Sequence, residues 1–464
     1  MLHGPVEPAT LCGNCNNARN VRTNRCPWKS GPAAGGGALF HRRFSSARIL
    51  LALLAVTFVP LLHAGDEQSA NLLPDPGGPF LIGRETIHLV DDSRIEPLSA
   101  DHRFREVMID VWYPATASNR QLAEYVDLVK FQAALGDQGM RNLFGSAAPL
   151  IKAGRVRTHA IDGAPFAKTL RRCPLVIFSH GMGTVSRIYT AQLEDLASHG
   201  YVVAALTHTY DSALTLFPDG RNVVIDMAAR PPQGSSEEKQ IAYENQRIEW
   251  WASDIRFALD ELSRINRDRS SRNSFAGHLD LARVAAFGHS DGGEAAARAC
   301  QLDSRFRACL NQDGVQRFEP FHLDSSGWGM DQSFLLITRM RKEPPSETEL
   351  AEMHMTLSEV QDLVARLRAA QEHALRSIGG GSYRVFLNYG ATTHMSFSDL
   401  PLLQAVSPAE AEARTRVLET IFSYDRAFFD KTLRSVPKTE LDDPQPSEFV
   451  DSVQRFPPAT KPRN

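Results

Sequence analysis

Three things are scarce in this 464-residue chain, and each scarcity removes a class of function. Basic residues do not outnumber acidic ones: 51 Lys and Arg stand against 54 Asp and Glu, for a formal net charge of −3. Such a surface has no surplus of cations to neutralise phosphates, so nucleic acid is not an expected partner. Local basic pairs such as Arg171-Arg172 read as solvated surface. Long apolar runs are scarce as well. The stretch from Ile49 to Leu62, interrupted only by Thr57 and Pro60, falls short of the roughly 20 residues that cross a bilayer. Cysteines number six, and Cys12, Cys15 and Cys26 precede that stretch. Cys12-x-x-Cys15 has the spacing of half a zinc knuckle but no well-placed fourth ligand, so neither a metal nor another cofactor is expected. What is present is an ordinary globular balance, 42% hydrophobic and 23% charged, with chain enough for one large core or two domains.

The beginning differs from the rest. A basic flank, His41-Arg42-Arg43, leads into the apolar run 49–62, and His63-Ala64-Gly65-Asp66 follows with small and polar residues. That order is the pattern of a secretory signal. Residues 1–65 are therefore expected to be a leader and the protein to be exported, periplasmic or secreted, with an N-terminal membrane anchor as the alternative. In an exported protein Cys300 and Cys309, which flank a short helix-to-strand loop, could pair; otherwise they and Cys173 are buried thiols.

From residue 80 onward the pattern alternates between strand and helix. Arg84–Val90 and Val107–Trp112 are strand-like and are expected to form an antiparallel edge, followed by an excursion of mixed character from Ala115 to Lys168. Leu175–Ser179 and Tyr201–Leu206 are continuous apolar runs, as in parallel strands covered on both faces. A helix over Tyr189–Ser198 separates them, and a long polar loop, His208 to Asp219, follows. A helix from about Glu237 to Asn266 places Trp251, Ile255, Ala258, Leu259, Leu262 and Ile265 on one core-facing stripe. Phe334–Thr338 and Tyr383–Tyr389 are further strands, the second expected to be the last. Between them, residues 343–380 read as a helical insertion with two capping boxes, Ser346-x-x-Glu349 and Thr356-x-x-Glu359. It is either a lid or packing on the domain's side. A closing helix (Pro408 to Asp430) and a loose, Pro-rich tail over 431–464 complete the chain. The expected fold class is α/β: a mostly parallel central sheet flanked by helices, with a helical insertion before the last strand.

The chemistry concentrates at Val284-Ala285-Ala286-Phe287-Gly288-His289-Ser290-Asp291-Gly292-Gly293-Glu294. A short buried strand meets a helix start there through Gly-x-Ser-x-Gly spacing, which presents the middle residue at the tip of a sharp turn. This is the nucleophile elbow of the α/β-hydrolase fold, with Ser290 as nucleophile. Leu175–Ser179 delivers His180-Gly181-Met182-Gly183 at its end, where such folds place one oxyanion donor; the residue after the nucleophile supplies the other. Met182 and Asp291 are therefore the expected donors, through backbone N–H. Asp313 closes a short strand, Ala308 to Gln312, in the chain order expected of the acid. His394, in the loop after Tyr383–Tyr389, is the expected general base; His322 comes too soon after Asp313, and His354 and His373 fall in the insertion.

Pro174 to Gly183, Asp195 to Gly200 with Val202 to Ala205, Gly288 to Gly293, and His394 followed by Phe397 resemble the plasma-type platelet-activating-factor acetylhydrolases. The similarity runs over roughly residues 80–430 and includes the 23-residue step from Ser290 to Asp313. It implies a calcium-independent phospholipase A2 acting on short acyl esters through Ser290, Asp313 and His394. Two departures touch the acyl pocket or its cover: Asp291 stands where better-known members have a bulky apolar residue, and the 343–380 insertion lengthens the Asp-to-His step. The expected partner is a small-molecule or lipid ester, with transient contact to a lipid surface. Other secreted esterases of this fold, cutinase-like or thioesterase, are the alternative, and a non-catalytic binding protein is the alternative class.

Overall fold

Leu175 to Phe178 and Val284 to Phe287 are apolar at every position, so a strand made from either must be covered on both faces. The computed structural model describes residues 72–459 except 228–230, 233–234, 269–275, 315–329, 341–343 and 354. In it, Leu175, Ile177, Val284 and Ala286 pack with Trp251, Ile255 and Leu259. Val176, Phe178, Ala285 and Phe287 pack on the opposite face with Leu193, Leu196 and Phe429. The expected leader over 1–65 lies outside the described residues.

The strands, in chain order, are β1 (Leu81–Ile95), β2 (Phe104–Ala115), β3 (Leu122–Glu124), β4 (Arg157–Asp162), β5 (Cys173–Ser179), β6 (Val202–His208), β7 (Leu214–Leu216), β8 (Asn222–Val224), β9 (Leu279–His289), β10 (Phe306–Gln312), β11 (Ser333–Met340), β12 (Ser382–Asn388) and β13 (Val450–Phe456). The helices are α1 (Leu128–Phe144), α2 (Ala148–Lys152), α3 (Thr190–Ser198), α4 (Glu237–Arg267), α5 (Asp291–Leu302), α6 (Glu347–Met353), α7 (Leu357–Arg376), α8 (Leu400–Leu403) and α9 (Pro408–Leu433). The main sheet has the order β13-β12-β11-β10-β9-β5-β6-β2-β1-β4-β3, and β7 pairs with β8 in a separate ribbon. From β6 to β12 all neighbours are parallel. This is the mostly parallel, helix-flanked α/β-hydrolase sheet expected above. Parallel strands all end at one edge, which is why loops far apart in sequence can meet there.

Several expectations need correction. The β1–β2 pair is antiparallel but is not an edge, because β4 lies beside β1 and β3 beyond it. Arg157–Asp162 buries only Thr158 and Ala160, so its alternation is too weak to stand out inside the mixed excursion. The His208–Asp219 loop contains β7. Nor is β12 the last strand: the tail contributes β13, antiparallel to β12 with Val453 opposite Val385. The prolines nearest to Val450–Phe456, namely Pro444, Pro446, Pro457 and Pro458, flank the strand without interrupting it, so its N–H groups remain available to the ladder.

The stripe from Trp251 to Ile265 is buried as expected. In the 343–380 insertion, Ala374, Leu375 and Ile378 are buried with Phe334, Leu336 and Phe456, whereas Val364 is exposed. Packing on the domain's side accounts for the end that leads into β12. Cys300 of α5 and Cys309 of β10, left open between pairing and free thiols, are joined as a disulfide, and Cys173 is a buried free thiol. No described helix is long and apolar enough to cross a membrane.

Candidate active site

The turn between β9 and α5 works only with glycines at its close approaches. A Cβ on Gly288 would run into the Gly292 carbonyl, and one on Gly292 into the Ser179 carbonyl of the neighbouring strand. Ser290 itself sits at φ 57°, ψ −129°, outside the regions a non-glycine residue prefers. Such strain costs about 1–3 kcal/mol and persists only where surrounding bonds hold it. Here the Ser290 N–H donates to the Gln312 carbonyl at 2.9 Å, and the Ser290 carbonyl accepts from the Gly293 N–H at 2.9 Å. The result is a half-buried hydroxyl at the carboxyl edge of the sheet.

Three side chains meet at that edge. His394 Nε2 lies 3.1 Å from Ser290 Oγ, and His394 Nδ1 lies 2.9 Å from Asp313 Oδ2. Asp313 follows the end of β10, and His394 opens a short 3-10 turn after β12. Asp313 is held on both oxygens: Thr338 Oγ1 donates to Oδ1 at 3.0 Å, and Arg339 Nε donates to Oδ2 at 3.1 Å. Burial alone would raise its pKa; the His394 hydrogen bond and the Arg339 charge outweigh that and hold the carboxyl below its usual range. Arg339 went unnoticed in the sequence. The one signal available was its place at the end of the strand next to that of Asp313.

The segment expected to supply an oxyanion donor is fixed by its carbonyl. The Gly181 carbonyl accepts from His180 Nδ1 at 2.8 Å, Thr184 Oγ1 at 2.7 Å and the Thr184 N–H at 3.1 Å. In a trans peptide the following N–H points the opposite way, so the Met182 N–H is set by those donors. Asp291 is the first residue of α5, where N–H groups have no intrahelical acceptor and the helix dipole favours negative charge. His180 is buried, and burial followed by the neighbouring His208 pushes its pKa down to about 3, which keeps the ring neutral. No group of three or more His, Cys, Asp or Glu side chains able to hold a metal ion occurs among the described residues.

A second serine–histidine–aspartate alignment lies behind this one. Ser179 Oγ is 2.8 Å from His208 Nε2, and His208 Nδ1 is 2.8 Å from Asp254 Oδ2. All three residues are fully buried. Asp254 also accepts from Arg105 Nε at 3.2 Å and from an Arg94 guanidinium nitrogen at 2.9 Å.

The family model described as platelet-activating factor acetylhydrolase, isoform II, matches residues 65–405. A platelet-activating factor acetylhydrolase of Cavia porcellus is 26% identical over 52% of this chain and 55% of its own length. A probable 1-alkyl-2-acetylglycerophosphocholine esterase of Arthroderma benhamiae is 24% identical over 54% of this chain and 61% of its own. The chain thus spans little more than half the length of these relatives. Among solved structures, a ferulic acid esterase from Streptomyces cinnamoneus superposes with a TM-score of 0.60 at 28% identity, over 81% of this chain and 96% of the esterase.

Proposed function

The chain belongs to the platelet-activating factor acetylhydrolase isoform II family, and from that premise we propose that it is a serine carboxylic-ester hydrolase. The observation that carries the reading is the pair of contacts made by one imidazole, 3.1 Å to Ser290 Oγ and 2.9 Å to Asp313 Oδ2. His394 takes the Ser290 proton as the oxygen attacks the ester carbonyl, and Asp313 holds the ring in the tautomer with Nδ1 protonated and stabilises the imidazolium. The N–H groups of Met182 and Asp291 receive the charge that develops on the carbonyl oxygen. His394 returns the proton to the leaving alcohol, and water then repeats the cycle on the acyl-enzyme.

The substrate is a short acyl ester, with a 2-acetyl glycerophospholipid as the first choice because the family and both relatives are named for that chemistry. A hydroxycinnamate ester is the second reading, favoured by the ferulic acid esterase, of which 96% is covered. Export is supported by the basic-flanked apolar run before Asp66 and by the Cys300–Cys309 disulfide, which belongs to an oxidising compartment. A fluorophosphonate probe tests the nucleophile: it should label Ser290 stoichiometrically, and an unlabelled wild-type protein with no p-nitrophenyl acetate turnover sinks the proposal. Acetyl glycerophospholipid, methyl ferulate and polyester film, assayed side by side, decide between the substrate classes.

A further inference from the structure

Two side chains that the proposed chemistry does not use connect its parts. His289 is the residue between Gly288 and Ser290; its ring turns into the interior while the Ser290 hydroxyl faces the site. His289 Nε2 lies 2.8 Å from the carbonyl oxygen of His394, and Nδ1 lies 2.9 Å from Tyr189 Oη. Tyr189 Oη in turn accepts from the N–H of Gly181 at 3.2 Å. Tyr189 and His289 are both buried, and the His289 ring stands 4.5 Å from the His394 ring and 5.3 Å from that of Phe397.

The direction of every bond follows by elimination. A carbonyl oxygen only accepts, so Nε2 of His289 carries a proton. Burial, and then the nearby His394, push the His289 pKa down to about 3, so the ring is neutral and Nδ1 is bare. Nδ1 must then accept from the Tyr189 hydroxyl, which leaves the Tyr189 oxygen to accept from Gly181. The run is one-way: Gly181 N–H to Tyr189 O–H to His289 Nδ1, and His289 Nε2–H to the His394 carbonyl. One end is the residue whose carbonyl orients the Met182 N–H; the other is the backbone of the base. Space is tight along it, since a Cβ on Gly181 would stand 3.2 Å from His289 Nδ1 and 3.3 Å from Tyr189 Oη.

We propose that Tyr189 and His289 form a buried hydrogen-bonded strut that sets the spacing between the oxyanion peptide and His394, and that both are positioning residues for the ester chemistry at Ser290. The strut rests on the ester-hydrolase reading. Its effect belongs on the chemical step rather than on binding, because misplacing reacting groups by about 1 Å can cost about 100-fold.

The test compares Tyr189→Phe, His289→Phe and His289→Gln with wild type in p-nitrophenyl acetate kinetics and thermal unfolding. Tyr189→Phe and His289→Phe should lower kcat about 10- to 100-fold with KM little changed. Glutamine, whose amide carries an acceptor beside a donor as the neutral ring does, should recover much of the loss. Wild-type kcat in both phenylalanine variants overturns the strut. So does a His289→Gln enzyme no better than His289→Phe, or a loss that merely tracks the unfolded fraction. A readout independent of turnover is the ¹⁵N spectrum of wild-type His289 between pH 5 and 8. It should report the neutral tautomer with Nε2 protonated, and a charged ring or the other tautomer also overturns the strut. An inert wild type that still shows this tautomer would sink the ester reading and leave the hydrogen-bonded run standing.

Discussion

Ser290–His394–Asp313 and Ser179–His208–Asp254 present the same three side chains at almost the same separations, 3.1 and 2.9 Å against 2.8 and 2.8 Å. Their surroundings differ in backbone strain and in exposure. Ser290 stands on a strained turn with φ 57°, whereas Ser179 is the last residue of a regular buried strand. The His394 side chain is 33% exposed; those of His208 and Asp254 are 0% exposed. The Asp254 carboxylate is shared with two guanidinium groups, those of Arg105 and Arg94, where Asp313 meets that of Arg339. Burial is the largest influence on His208 and lowers its pKa despite the Asp254 hydrogen bond, so the ring is held neutral. Hydrogen-bond distances alone therefore do not mark a reactive triad. Access for the ester and preorganised donors for the oxyanion do.

The largest expected effect separates the two serines. Ser290→Ala should lower kcat by about 10⁶-fold, the scale seen when a nucleophile of this kind is removed. Ser179→Ala should keep turnover, since its hydroxyl meets no substrate. Hydrolysis of p-nitrophenyl acetate by the two purified variants decides it: a Ser179→Ala enzyme as dead as Ser290→Ala would erase the distinction.

The aspartates sharpen the contrast because their losses should fall on different quantities. Asp313→Asn should lower kcat by about 10⁴-fold, because the wrong imidazole tautomer is then favoured. Asp254→Asn should instead lower stability by about 3 kcal/mol, the low end for breaking a buried ion pair, because Arg105 keeps Glu96 and Arg94 keeps Asp91. The molecules that remain folded should turn over normally. Urea unfolding alongside kcat per folded molecule measures both; equal stability losses in the two variants would refute the assignment.

The two alignments were not equally legible in the sequence. The strand-turn-helix around Ser290 can be read because Gly288 and Gly292 sit where backbones touch, and the parallel strands because their apolar runs lack alternation. Asp313 and His394 follow from chain order once those strands are placed. Ser179, His208 and Asp254 belong to no spaced motif; His208 and Asp254 are brought together by α4 lying on the sheet. Arg339, Tyr189 and His289 escaped for the same reason, since what matters about each is which buried atom it meets. The strand Val450–Phe456 was hidden by its setting, a tail whose prolines read as loose chain although none falls inside the paired residues.

A third buried carboxyl extends the comparison to one with no cation bonded to it among the described residues. Asp425 of α9 accepts from Gln192 Nε2 at 2.8 Å and from Nε2 of Gln312, the last residue of β10, at 2.9 Å. Asp254 is buried too, but Arg105 and His208 outweigh the burial and hold its pKa far down. For Asp425 burial prevails, against those two amide hydrogen bonds, and pushes the pKa up to about 8. The folded protein thus keeps a proton there that the unfolded chain, with a carboxyl pKa of about 3.9, gives up. Stability from this group is full below pH about 4 and is lost as pH rises to about 8. Gln192 Oε1 and Gln312 Oε1 are buried without partners among the described residues. Asp425→Asn would supply an amide donor to one of them while still accepting from both Nε2 groups. It should therefore be more stable than wild type by on the order of 5 kcal/mol at pH 8, because only the wild type's unfolded chain gains by releasing a proton over about four pH units at about 1.4 kcal/mol each, and no better at pH 4. Unfolding midpoints between pH 4 and 9 test this. A variant that is less stable at pH 8, or whose gain is the same at pH 4, would mean that Asp425 is charged in the folded state and belongs with Asp254 rather than apart from it.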